Sequence, residues 1–410
     1  RHVFDEGHAF SIRNPLPLWN PAVPSCPVAR VGYSSAAMSD HASDMPPGTF
    51  PAPRGRPAAL VLGGLAILLA GLAIRMPLMR MPGHIDDVSQ FYEWATQAAQ
   101  LPLVDFYKLY RPDAGKEIYA SNYPPVYLYV LSWLPSLHDR LCDGPRWADP
   151  AIWNGIEREV MRKTLVEERD KIRRLKAENR PIGFQRRGGI AALCVRLGLT
   201  EELRAANVTT EGRFADFIDT YIAHDRHLGP QHACVFFFLK LPAVLADVVL
   251  AVLLLAAGCR IGGTSKAFWA GALYFCNPMT IYNSAWWGQV DSIHTAMMVG
   301  CLLALTGRRF FWVWFWLLTG VLTKFQAIIV VPVVAAVVMS DLCGRTVRSP
   351  SIRPITSPYL LKTFAMGGLV PLVILLFPFL ATRTLHLILE LYTGLAKQYP
   401  YITLLSLIHI

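Results

Sequence analysis

Charged side chains are scarce in this sequence. Asp, Glu, Lys and Arg make up 17% of its 410 residues, against about 25% in an ordinary soluble domain. The shortage is local: Leu60 to Ile74, Leu241 to Ala257 and Ala327 to Met339 are almost free of charge. Runs approaching ~20 apolar residues are long enough to cross a hydrocarbon layer roughly 30 Å thick. The eight cysteines include no C-x-x-C pair, so they read as small hydrophobes, with no disulfide framework or zinc site. No basic-aromatic module accompanies the net charge of +10, which excludes a nucleic-acid partner. The positive residues sit instead in short links between apolar runs, where they orient a membrane protein. No inverted repeat of the kind many transporters show is visible. No clear small-residue cleavage site follows the first apolar run, which therefore reads as an anchor and not as a cleaved signal.

What is present is apolar and aromatic. Hydrophobic residues reach 53% and aromatics 11%, with Trp and Tyr gathered at the run ends as interfacial belts require. The sequence predicts an all-α polytopic membrane protein. Residues 1–57, rich in Pro, Ser and Ala without an apolar period, are expected to be disordered or non-native; Met38 or Met45 is the expected start. A first transmembrane helix is expected over 58–79, an extracytoplasmic loop region with interfacial helices over 80–235, a transmembrane bundle over 236–403 and a doubtful tail over 404–410. Within the loop region, Leu128 to Leu137, interrupted by Pro135, suits an interfacial helix better than a crossing. Trp153 to Asn179 alternates charges as a solvated helix does. Asn207-Val208-Thr209 fits a glycosylation pattern that matters only in a eukaryotic lumen.

The later apolar runs fall at about 239–258, 267–283, 292–306, 309–323, 326–340 and 359–381. Arg260 and Lys266, then Arg308 and Arg309, then Arg345, Arg348 and Arg353 occupy every second link, which makes those links cytoplasmic. Three polar clusters then converge on the opposite, outer side. The first is His84-Ile85-Asp86-Asp87 with Phe91 and Trp94. The second is Asn283 to Ser292, carrying Trp287, Gln289 and Asp291. The third is Lys324-Phe325-Gln326. Asp291 and Lys324 are ionisable groups near the ends of apolar helices, where such groups are functional by default.

These residues carry a resemblance. Asp87 with Trp94, Tyr123-Pro124-Pro125-Val126-Tyr127, Lys240-Leu241-Pro242-Ala243 with Asp247, and Asn277-Pro278 leading into Trp287-Gly288-Gln289-Val290-Asp291-Ser292 resemble the bacterial membrane mannosyltransferase-like family related to the second GPI mannosyltransferase. Their order is similar to that in the dolichyl-phosphate-glucose-dependent glucosyltransferases of the endoplasmic reticulum, also of the GT-C superfamily. The resemblance spans about residues 60–403, and the Trp-Gly-Gln-Val-Asp-Ser string is its most specific part. It implies a GT-C-like helical bundle with a large extracytoplasmic first loop. It also implies inverting transfer of a hexose, mannose or glucose, from a polyprenyl-phosphate donor to a lipid-linked or cell-envelope acceptor. The location implied is a bacterial plasma membrane, or the ER membrane in a eukaryote. No cofactor and no metal is called for.

The sequence departs from the family in three places. The region 138–235 is longer than its first loop, and Lys324-Phe325-Gln326 stands where Lys-Pro-Gln is usual. Tyr399-Pro400-Tyr401-Ile402-Thr403 normally continues into further helices, so a longer, C-terminally truncated protein is expected.

The residue types suit that chemistry. Phosphate leaves readily, whereas the acceptor hydroxyl needs a base within ~3 Å, a role the resemblance gives to Asp87. Asp86 is then expected to cap the following helix. A cation stabilises the departing phosphate, with Lys324 the first candidate and Lys240 the second. Gln289, Asp291 and Gln326 can bond sugar hydroxyls, Trp287 can stack on a sugar face, and Trp94 and Tyr123 complete the cavity. The rivals are a transporter or flippase using Asp247, Asp291 and Lys324, a polysaccharide polymerase or ligase, and a non-catalytic scaffold.

Overall fold

The computed structural model describes residues 57–108, 123–178, 194, 197–199, 216–220, 228–342 and 356–398. The readings of 1–56, Asn207-Val208-Thr209, Arg345, Arg348, Arg353, Tyr399 to Thr403 and the 404–410 tail lie outside these residues. Every regular element among the described residues is helical.

Four described helices are long and apolar enough to cross a membrane: Val61–Met79, Pro230–Phe275, Phe325–Leu342 and Ser357–Ala381. They belong to α1 (Pro57–Met79), α6 (Pro230–Phe275), α10 (Val331–Leu342 with its 3₁₀ entry Phe325–Val330) and the pair α11 (Ser357–Phe364) and α12 (Val370–Ala381), joined by a π-turn. Their surfaces fit a membrane protein. Leu62 is 66% exposed, Ile374 66% and Phe377 62%, and contiguous apolar surface of this kind belongs in lipid, not in water.

Helix α6 is two limbs. Gly262 and Gly263 leave helical geometry, Gly263 with φ 78°, a conformation that favours glycine. A Cβ on Gly258 would lie 2.5 Å from Cα of Ala267, and one on Gly271 would lie 2.7 Å from a Leu255 methyl. The limbs therefore fold back on each other through glycine faces, with Arg260 and Lys266 at the turn. Helices α8 (Asp291–Thr306) and α9 (Phe310–Val321) form a second hairpin. Arg308 at its turn pairs with Asp341 at the end of α10 at 2.8 Å. The basic links 259–266 and 307–309 thus stand at helix turns, as the charge pattern predicts.

The described helices of the 80–235 region pack into the core. Helices α2 (Ile85–Gln100), α3 (Leu103–Lys108), α4 (Pro125–Leu141) and α5 (Pro150–Ala177) share the largest core with the start of α6 and with α13 (Leu385–Gln398). Phe91, Trp94, Tyr127, Leu131, Trp147, Ile156, Phe236 and Leu391 belong to that core. Helix α4 has 17 residues and ends in His138-Asp139-Arg140-Leu141. It buries Tyr127, Leu128, Leu131 and Leu134 and leaves Trp133 75% exposed.

Two expectations need correction. The segment Trp153 to Asn179 is not a purely solvated helix: α5 buries Ile152, Ile156 and Leu165 completely. Ile152, Ile156, Val160, Met161 and Leu165 recur at helical spacing and give the helix an apolar stripe, which its denser charges obscure in the sequence. The cysteines also do pair, because Cys142 and Cys234 form a disulfide across 92 residues. Nothing local marks that pair; it forms because the end of α4 packs on the start of α6.

Candidate functional site

The site is built where α1 hands over to α2. Lys240 in α6 donates to the carbonyl oxygens of Met81 at 2.7 Å and Leu78 at 3.4 Å. It thereby neutralises the carbonyl end of α1. Gly83 follows at φ 63°, and a Cβ there would lie 1.9 Å from the carbonyl oxygen of Trp286. Only glycine lets the two backbones come this close. The turn therefore presses the start of α2 against the Trp286-Trp287 segment.

That segment is held in its own way. Asn277 caps the short helix α7 (Pro278–Ile281) by accepting from the Met279 amide. A π-turn over Tyr282–Trp287 follows, and Gly288 at φ 88° ends it. The Asn283 carbonyl accepts from the amides of Gly288 and Gln289, both at 3.0 Å. Such π-turns are frequent at functional sites. Beneath lies a buried network in which Arg75 pairs with Asp247 at 3.0 Å. Asp247 also accepts from Tyr274 at 2.7 Å and from Ser284 at 2.5 Å. This network ties α1, both limbs of α6 and the π-turn together.

Asp87 sits on the first turn of α2. Its Oδ2 accepts from Trp287 Nε1 at 2.5 Å and Gln289 Nε2 at 2.7 Å. His84 stacks on Trp287, ring centroids 5.1 Å apart, with Nδ1 3.6 Å from the same Asp87 oxygen. Beside this group Lys324 pairs with Asp291, which also takes a hydrogen bond from the Asn283 side chain. Lys324 Nζ stands 5.6 Å over the Tyr123 ring. Tyr123 joins the two halves. Burial pushes its phenol above the ordinary value, Lys324 opposes this, and Asp291 and Asp87 add to it.

No family model, curated protein or solved structure matches this chain.

The structure brings together most of the residues singled out from the sequence: Asp87, Trp287, Gln289, Asp291, Lys324 and Tyr123. Gln326 lies half-buried in the 3₁₀ turn directly after Lys324. Others take different places. Trp94, at 3% exposure, is packed against Phe91 and Tyr123 and supports the wall from behind. Lys240 is fully buried on backbone carbonyls, so its donors are already committed. Trp287 has one face covered by His84 and an edge contact from Tyr282, and its indole N–H holds Asp87. Asp86 is inside the first turn of α2 and caps nothing, since the N-cap is His84.

Asp86 instead pairs with Lys163 of α5. Burial would lower the Lys163 ammonium, but the Asp86 bond and the charges of Asp86 and Glu167 carry it above its ordinary value. Lys163 and the site role of His84 escaped the sequence reading. Lys163 is one charge among many on α5, while His84 was visible only as a neighbour of two carboxylates.

Proposed function

We propose that the chain is a GT-C-like inverting glycosyltransferase. In this reading it moves a hexose, mannose or glucose, from a polyprenyl-phosphate donor to a hydroxyl of a lipid-linked or cell-envelope acceptor. One observation carries the proposal: a carboxylate held by an indole and an amide lies beside a lysine-carboxylate pair, all at one end of an apolar helical bundle. A polyprenyl donor needs such a place, because its tail stays in lipid while its headgroup and sugar reach polar residues.

The roles follow from the positions. The acceptor oxygen bonds to the anomeric carbon as the carbon–oxygen bond to phosphate breaks, and phosphate leaves with the bonding pair. Asp87 is the carboxylate on which deprotonation of the acceptor depends. Lys324, with a side chain 16% exposed, offsets charge on the leaving phosphate. Asp291 and Gln326 are placed to bond sugar hydroxyls. The Cys142–Cys234 disulfide supports an outer face for this end, since disulfides persist in oxidising compartments. Charge in the opposite turns supports the same orientation. A bacterial plasma membrane, or the ER membrane in a eukaryote, fits both.

The test is a transfer assay in membranes containing the full-length protein, with a panel of radiolabelled polyprenyl-phosphate sugars. Label should pass to an acceptor lipid or glycan and fail to do so with Asp87→Asn. Movement of the intact lipid-linked sugar across the bilayer without transfer would replace the enzyme with a flippase.

A further inference from the structure

Asp87 has a neighbour whose chemistry the site has not yet used. Oδ2 of Asp87 is engaged by Trp287 and Gln289, which fix the carboxylate in place. His84 Nδ1 lies 3.6 Å from that oxygen; it is buried and has no hydrogen-bond partner. The His84 side chain as a whole is nevertheless 36% exposed. The exposed surface therefore belongs to the rest of the side chain, and Nε2, unlike Nδ1, is not a buried unpaired atom. Stacking on Trp287 and the Gly83 turn hold the imidazole in this attitude.

A buried, unpaired ring nitrogen is costly, and the Asp87 carboxylate is an acceptor within reach. At 3.6 Å the two are not hydrogen-bonded. A shift of about half an ångström closes the gap, and catalytic hydrogen bonds commonly tighten only when substrate binds. Closing it puts the proton on Nδ1 and leaves the lone pair on Nε2, because the bond made by one ring nitrogen sets the state of the other. Two other charged groups near this turn are engaged elsewhere: Asp86 with Lys163 and Lys240 with the Leu78 and Met81 carbonyls.

The geometry points to His84 as the group that takes the acceptor's proton, with Asp87 behind it as the orienting carboxylate. This inference rests on the glycosyl-transfer reading. The acceptor O–H proton passes to His84 Nε2, and the acceptor oxygen bonds to the anomeric carbon. The sugar–phosphate bond breaks with its electron pair on phosphate. The imidazolium donates through Nδ1–H to Asp87 Oδ2 until the proton leaves to water.

The experiment compares His84→Gln, His84→Ala and Asp87→Asn in the full-length protein, each checked for an unchanged melting temperature. His84→Gln should lower kcat by about 100-fold or more with donor KM nearly unchanged. Added imidazole should restore part of the rate to His84→Ala and none to Asp87→Asn. Near-normal turnover by His84→Gln alongside an inactive Asp87→Asn would overturn the proposal and make Asp87 itself the proton acceptor. A wild-type protein that transfers no sugar would instead sink the glycosyltransferase reading. The pairing is then still decided by ¹⁵N-histidine NMR, with His84→Gln assigning the resonance. The Nδ1–H tautomer in the wild type, lost in Asp87→Asn, supports the pair; the Nε2–H tautomer in the wild type refutes it.

Discussion

Replacing Asp87 by Asn separates chemistry from folding at this site. The two donors on Asp87, Trp287 Nε1 at 2.5 Å and Gln289 Nε2 at 2.7 Å, can both be accepted by the Asn carbonyl oxygen. What is lost is charge. A hydrogen bond to a charged group contributes about 1.5–3 kcal/mol and a neutral one about 0.5–1.5, so the substitution costs on the order of 1–3 kcal/mol of stability. Loss of proton transfer from the acceptor, which depends on this carboxylate, costs ~10²–10⁴ in rate, or about 3–5 kcal/mol of barrier. Asp86→Asn is the matched control. It removes the pair with Lys163, whose side chains are 38% and 29% exposed, and pairs this exposed contribute at most about 1 kcal/mol. Initial transfer rates, donor binding and thermal melting should therefore show Asp87→Asn folded, donor-competent and nearly inactive, with Asp86→Asn close to wild type. Near-normal turnover by Asp87→Asn would refute the assignment. An inactive Asp86→Asn would move the catalytic carboxylate one residue back.

Three further outcomes are expected. Cys142 and Cys234 should resist alkylation until reduced, and Cys142→Ser should lower stability by about 2–5 kcal/mol; alkylation without reductant would remove the disulfide. Arg75→Leu should cost about 3–5 kcal/mol by leaving Asp247 buried and unpaired, while adding Asp247→Asn should recover much of it, as a double-mutant cycle on melting would read. In a background lacking other reactive cysteines, an impermeant maleimide should label a cysteine placed at Ala148 and not one at Ser265, and the reverse pattern would invert the topology.

The apolar runs were legible because lipid demands unbroken apolarity along a helix, which is a property of consecutive residues. The turn between the limbs of α6 was legible for a similar reason, since Arg260 and Lys266 stand together in sequence. The Asp87 cluster was visible as residue types at helix boundaries. Pairwise contacts across the fold were not. Nothing in the local pattern joins Cys142 to Cys234, 92 residues apart, or Lys163 to Asp86, 77 apart. An aromatic near a boundary, such as Trp94, suits both a ligand wall and a core, and its burial at 3% exposure is a tertiary property that local pattern does not carry.

The two lysines show how placement decides between equal residue types. Each follows or sits within an apolar helix, and each offers the same charge to a phosphate. Lys240 is 0% exposed and spends its donors on the carbonyls at the end of α1. Drawing it toward a headgroup would strip those carbonyls and release the Gly83 turn that presses α2 onto Trp286. Lys324 pairs with Asp291, whose side chain is 43% exposed. An arriving phosphate can therefore share Lys324 while Asp291 turns to solvent or to a sugar hydroxyl. Lys324 can exchange partners without moving a helix, whereas Lys240 cannot. Lys324 is accordingly the one suited to the donor role proposed for it, and Lys240 the one that holds the turn on which His84 and Asp87 stand.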